Sequence, residues 1–179
     1  GISRQPVQHA LTLLRKEGVL IDAPGRGLQV APLDLDHVRQ MYDVRAVIEG
    51  LAFRKAAENS AAEAAAKGPA LIRAGRKAVA SRLFHDMIAA DMAFHEFIYS
   101  LSGNPLVAPA LQTHWTQTHR VMGEVLMRDD KPRDIWDQHE ALLAAVAAGD
   151  GEGAERLARH HILAAADFMI ERMQTERAV

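Results

Sequence analysis

An all-α bundle of about six or seven helices, preceded by one short helix and a β-hairpin, is the fold class that this 179-residue sequence predicts. Three observations predict it. Apolar residues recur at helical spacing from Asp34 almost to the C-terminus. No strand-like alternation follows Val30. A glycine-tipped hairpin pattern, Val19-Leu20-Ile21, Ala23-Pro24-Gly25-Arg26-Gly27 and Leu28-Gln29-Val30, lies within the first 31 residues. At 49% hydrophobic, the chain can bury one good core and carry a small appendage.

The first element is a helix that Ser3 can cap, with Pro6 tolerated in the first turn because that N–H needs no partner. Val7, Ala10, Leu11 and Leu14 form its stripe, and Gly18 stops it. A helix followed by a glycine-tipped hairpin is the layout of a winged helix-turn-helix. Such a helix enters the DNA major groove N-terminus first, and Arg26 at the hairpin tip can reach the backbone or minor groove.

Pro32 separates this head from the body. Asp34 or Asp36 can cap a long helix to about Asn59, with Val38, Met41, Tyr42, Ile48, Leu51 and Ala52 on one stripe. Ala61–Ala66 and Leu71–Ala80 read as helical, with an interruption expected at Gly68-Pro69. A helix over 81–101 stops at Ser102-Gly103-Asn104-Pro105, and another over 106–127 ends in the polar turn Asp129-Asp130-Lys131-Pro132. Helices over 133–148 and 153–174 flank Gly149-Asp150-Gly151. The expected organisation is a partial DNA-binding domain at 1–31, a linker at 32–36 and an all-helical domain at 37–179.

Charge supports this division. Residues 1–31 hold four basic and two acidic side chains, net +2, while the rest holds 17 and 21, net −4. A small DNA-facing piece on a mildly acidic body fits that split. The absence of cysteine excludes a disulfide framework and a thiolate metal site. No signal peptide or membrane-length apolar run is present, so a cytoplasmic protein without a membrane partner is expected.

The chemistry lies in the histidines, of which there are nine. Asp91 and His95 are one turn apart, within the stripe Phe84, Met87, Ile88, Phe94, Ile98 and Leu101, and point inward from one helix face. His139 falls within the stripe Ile135, Leu142, Leu143 and Val146. His161 falls within Ala154, Leu157, Ala158, Ala165 and Phe168, with His160 toward the edge. Burying one carboxylate and three imidazoles without partners costs several kcal/mol, roughly. A divalent cation satisfies all four together. Zinc is the first expectation; nickel, manganese and iron also suit these ligands. Taken singly, each histidine also fits a hydrogen-bonded core role, and Asp91 and His95 can pair with each other.

Two stretches carry a resemblance to known families. Ser3, Arg4, Pro6, Val7, Ala10, Leu11, Leu14, Glu17, Gly18, Pro24 and Gly27 follow the pattern that ends the DNA-binding domain of GntR-type transcription regulators. The resemblance implies DNA contacts from Ser3, Arg4, Gln8 and Arg26. Gln8 departs from it, since the family usually has an arginine there for guanine, and glutamine prefers the adenine edge. Residues 34–175 resemble the FCD effector domain of the FadR branch of these regulators. The matching pieces are Met41-Tyr42-Asp43-Val44-Arg45-Ala46-Val47-Ile48-Glu49, Asp91-Met92-Ala93-Phe94-His95, Ser102-Gly103-Asn104-Pro105-Leu106, His139-Glu140-Ala141-Leu142, Ala147-Ala148-Gly149-Asp150 and His161-Ile162. By resemblance, Asp91, His95, His139 and His161 are the metal ligands, and the metal helps hold a small carboxylate effector.

A second, cationic anchor is expected at Arg45, which lies on its helix stripe between Tyr42 and Ile48. An i,i+4 pair with Glu49 is the equal alternative. His114 lies on the stripe Val107, Ala110, Leu111 and Val121, where it can line the pocket or be a satisfied core histidine.

The function expected is therefore a DNA-binding transcription regulator, a repressor rather than an enzyme, that works as a homodimer on operator DNA under a small organic acid. The helices that complete such a head would precede Ser3, so the sequence as it stands is expected to bind DNA weakly or not at all. The rivals are an all-α metal-dependent hydrolase using the same three-histidine-plus-aspartate site and a purely structural bundle with core histidines.

Overall fold

The structure is a computed structural model and describes residues 3–127 and 135–177. The predicted turn Asp129-Asp130-Lys131-Pro132 lies outside the described residues. The head consists of α1 (Arg4–Lys16), β1 (Leu20–Asp22) and β2 (Leu28–Val30). The two strands pair antiparallel, with Leu20 opposite Val30 and Asp22 opposite Leu28. Ser3 occupies the N-cap position of α1 but makes no side-chain capping hydrogen bond. No residue of α1 is buried.

The body consists of α2 (Leu35–Ser81), α3 (Phe84–Leu101), α4 (Val107–Leu126), α5 (Trp136–Ala147) and α6 (Gly151–Arg177). Its Asp34 cap is real: the carboxylate accepts from the N–H groups of Asp36 and His37. Helix α2 is the spine of the bundle and packs against all four other helices, most extensively α6. It departs from helical geometry at Ser60 (φ −144°, ψ 29°), where the expected first helix ends.

The interruption expected at Gly68-Pro69 does not occur; the helix runs through it. Helix α5 supplies the reason. Gly75 makes room for the Trp136 indole, since a Cβ there would stand 1.9 Å from Trp136 Cε2. Gly68 does the same for Leu143, which would be 2.3 Å from an added Cβ. Tertiary packing thus overrides the local breaking tendency of glycine and proline. Trp136, His139 and Leu143 share one face of α5 at i, i+3 and i+7, so the same seat turns His139 into the core.

Three apolar clusters fill the interior. One contains Phe53, Phe94, Ile98, Trp136 and Leu142. A second contains Tyr42, Met122, Ile162 and Met169, and a third contains Tyr99, Leu111 and Trp115. Leu51 and Leu157, expected on the inner stripes, face outward at 42% and 37% exposure. Two charged residues, Arg45 and Glu49, join Val38, Met41, Tyr42 and Ala52 among the buried positions of α2.

Candidate metal and effector centre

Helices α3, α5 and α6 bring Asp91, His95, His139 and His161 into the interior, all four buried. His139 Nε2 lies 3.3 Å from Asp91 Oδ1 and 3.4 Å from His95 Nε2. The three histidines each present a ligand atom within 4.8 Å of the other two. Ligand atoms around a tetrahedral zinc with bonds of about 2.0–2.1 Å stand about 3.3 Å apart. Three buried histidines can therefore hold a metal ion here, and the carboxylate of Asp91 adjoins them.

Neighbouring groups decide which ring nitrogen faces the centre. Gln138 Oε1 accepts from His161 Nδ1 at 2.9 Å, which leaves His161 Nε2 for the centre. Glu49 Oε2 lies 2.6 Å from His95 Nδ1, so His95 Nε2 is the atom that meets His139. His139 Nδ1 is buried without a hydrogen-bond partner among the described residues. Its ring is held instead between Phe94 and Trp136, at centroid distances of 4.7 and 4.6 Å.

The charges at this cluster suit a cation. Burial holds the His161 imidazole well below its ordinary pKa, helped by His139 and His95, and burial likewise lowers His139. Both are thus neutral and able to ligate. Burial pushes the Asp91 carboxyl up, but the hydrogen bond to His139 and the nearby imidazoles outweigh it and keep Asp91 ionised. For Glu49, burial is outweighed by Arg45 and His95, and its pKa falls to about 2. Burial lowers His95 too, but Glu49 more than reverses that. With neutral imidazoles, the fixed charges are Arg45, Glu49 and Asp91, one negative charge in excess. A dication reverses the sign and leaves the centre attractive to an anion.

Arg45 makes the expected pair with Glu49, donating from Nε to Oε1 at 2.9 Å, and also borders the cavity beside Asp91 and His95. Its guanidinium lies 4.7 Å from the Tyr42 ring centre and 5.0 Å from that of Trp115, and Nη1 is 3.4 Å from Thr118 Oγ1. His114 is not brought to this cavity. It is half-buried and lines a groove with Lys16, His37 and Arg120, between head and body. The buried face of α4 runs through Leu111, Trp115, Thr118 and Met122, and that register turns His114 aside.

Ser3, Arg4 and Gln8 are exposed on the N-terminal half of α1, and Arg26 is exposed in the hairpin turn. Arg4 and Gln8, at i and i+4, share one face. The head is tied to α4 by polar bonds: Gln117 donates to the Glu17 carbonyl at 2.9 Å, Thr116 to the Glu17 carboxylate at 3.2 Å, and Arg120 to the Ala31 carbonyl.

The FCD domain family matches residues 40–164. The chain belongs to that family. Curated relatives of the chain are HTH-type transcriptional regulators. It is 30% identical over 175 residues to an HTH-type transcriptional regulator in an unstable DNA locus of Streptomyces ambofaciens, covering 97% of this chain and 72% of the relative. It is 27% identical over 169 residues to the HTH-type transcriptional regulator BphR of Paraburkholderia xenovorans, covering 90% and 68%. It is 24% identical over 162 residues to the HTH-type transcriptional repressor RspR of Escherichia coli, covering 90% and 71%. The fold also matches E. coli McbR/YncC, with a TM-score of 0.81 at 21% identity, over 97% of this chain and 82% of that one. As an FCD-family member whose curated relatives are HTH-type transcriptional regulators, the chain is a transcriptional regulator and not an enzyme, which sets the hydrolase reading aside. None of the described helices is long and apolar enough to cross a membrane.

Glu49 and Gln138 are the site residues that sequence reasoning missed in these roles. Glu49 was visible only as the i+4 partner of Arg45. Its contact with His95 crosses from α2 to α3, which no spacing within one helix can show.

Proposed function

We propose that this FCD domain is a metal-dependent sensor of a small organic acid. Asp91, His95, His139 and His161 hold a divalent ion, zinc first among the candidates, with Glu49 and Gln138 orienting His95 and His161. The effector carboxylate is shared between the ion and Arg45. The ion supplies an exchangeable, positively charged coordination position, and Arg45 supplies directed N–H donors on the same side of the cavity. Effector occupancy changes DNA binding by the heads of a homodimer in the cytoplasm, with repression as the default output. Ser3, Arg4, Gln8 and Arg26 contact the operator. The head occupies 1–31, the linker 32–36 and the sensor 37–179.

The observation that carries this reading is the meeting of His139 Nε2 with His95 Nε2 and Asp91 Oδ1 at 3.3–3.4 Å in a buried setting. Without a cation, the single hydrogen of His139 Nε2 can serve only one of these two acceptors, and the other is left unpaired by it in a buried setting. Elemental analysis of protein purified without chelator tests it. One equivalent of divalent metal is expected in the native chain and a small fraction of that in His139→Ala and His161→Ala. Equal metal in all three refutes the ligand set.

A further inference from the structure

The cavity beside the proposed metal ligands is lined by two kinds of side chain. Tyr42, Arg45, Asp91, His95, His161 and Gln138 supply the polar part of its lining. Met122 and Leu126 of α4, with Ile162, Phe168 and Met169 of α6, supply an apolar part. These five belong to one apolar cluster, either buried within it or packed against it. Along α6 the lining runs from His161 to Met169, which at the helical rise is about 12 Å. The free space is about 70 Å³, enough for a few water-sized groups.

Among the described residues, Arg45 is the single lysine or arginine in this lining, and Glu49 already meets part of its charge. Arg172 stacks on the Phe168 ring at 5.4 Å, but it is exposed and is not part of the lining. An anionic group at the metal end thus has strong partners. A second anionic group, or a row of hydroxyls, would face methionine, leucine, isoleucine and phenylalanine. Burying such groups unpaired is strongly unfavourable, whereas alkyl or aryl carbon is accepted there. Three of the lining residues, Met87, Met122 and Met169, are unbranched thioethers that adjust to the shape of a tail.

We infer that the effector is a monocarboxylate with one compact apolar tail, an acid of a few carbons or a single ring, and that dicarboxylates, tricarboxylates and sugar acids are rejected. This rests on the reading of a carboxylate held at the metal and Arg45, and adds the class of the remainder of the molecule. The tail lies against Met122, Leu126, Phe168 and Met169.

Calorimetric titration of the zinc-loaded chain with butanoate, hexanoate, octanoate and benzoate, against succinate, citrate and gluconate, tests it. The best monocarboxylate should bind at least about tenfold tighter than any of the last three, a factor that corresponds to one unpaired polar group only weakly penalised. Equal or tighter binding of succinate, citrate or gluconate overturns the inference while leaving the carboxylate-sensor reading in place. Binding of none of the seven overturns both, and zinc content measured on the same sample reports separately on the ligand set. Met169→Ala, which shortens one side chain of the apolar lining, should raise the ratio of octanoate to butanoate affinity several-fold. An unchanged ratio places the tail elsewhere and overturns the inference.

Discussion

The head and the helical bundle put their candidate functional groups in opposite environments. Ser3, Arg4, Gln8 and Arg26 stand in solvent on a head that has no buried residue among those described. Asp91, His95, His139, Arg45 and Glu49 are packed into one another, and the last four of these are 3% exposed or less. Groups that meet a partner from solution can each be replaced almost independently. Groups that hold a charge in a dry interior depend on every neighbour, because each removed partner leaves another polar atom unpaired. The same kind of side chain, an arginine, is therefore exposed to solvent at Arg26 and a structural member at Arg45.

The tightest seat in the bundle carries the largest expected effect. Gly75→Ala places a Cβ where the Trp136 indole lies, and α5 must move. A loss of more than about 3 kcal/mol is expected, above the usual overpacking cost, together with weaker metal binding because His139 moves with α5. A denaturation midpoint and metal content equal to those of the native chain would show that the seat of α5 is not set by Gly75. Next, Arg45→Met leaves Glu49 buried with half of its partners gone, and a loss of about 3 kcal/mol is expected. The double variant Arg45→Met/Glu49→Met should recover part of that loss, as chemical denaturation can measure. No recovery would mean that the pair is not coupled.

Glu49→Gln is milder. It keeps the shape of the side chain but removes the charge beside His95 Nδ1, and metal affinity should fall by about 10–100-fold. Competition with a chelator measures this, and an unchanged affinity would remove Glu49 from the support of His95.

The pH dependence of the metal-free protein follows from the same cluster. His139 and His161 have lowered pKa values, so the unfolded chain binds their protons first, and stability declines as pH falls below 6.5. His95, raised by Glu49, acts in the opposite direction. Glu49 drops from 4.5 to about 2, and Asp91 is lowered too, so their contribution is fully present above about pH 4.5 and is lost as pH falls through the lowered values. Urea midpoints between pH 7 and pH 3 should fall in these two stages, and a flat profile would contradict the buried charges. The smallest effect is expected in the head. Gln117→Ala removes one bond to the Glu17 carbonyl at the surface and should change stability by no more than about 0.5 kcal/mol.

Much of this contrast was legible in the residue pattern. The i,i+4 spacing of Asp91 and His95, and the positions of His139 and His161 on their stripes, are enough to turn these four candidate ligands toward the core, where all four are buried. A stripe sets the direction of a side chain, because helical periodicity is local. It does not set which other helix lies opposite. His114 shows the limit. Its neighbours Ala110 and Leu111 made it look inward, yet α4 buries the line through Leu111, Trp115 and Thr118 instead. Gly68-Pro69 shows another: the local rule favoured a break, and the rings and methyls of α5 filled the space that glycine left.

By itself, the sequence determined the helix-and-hairpin head, the run of amphipathic helices and the inward direction of the Asp91, His95, His139 and His161 side chains, since these follow from periodicity, capping and turn residues within short segments. Contacts between elements of the tertiary structure decided that Glu49 of α2 reaches His95 of α3, that Gln138 meets His161, that Arg45 joins both Glu49 and the cavity, and that the cavity beside Asp91, His95 and His161 is lined by polar and apolar side chains together. Those contacts depend on the crossing of helices whose separation along the chain carries no record of their distance in space.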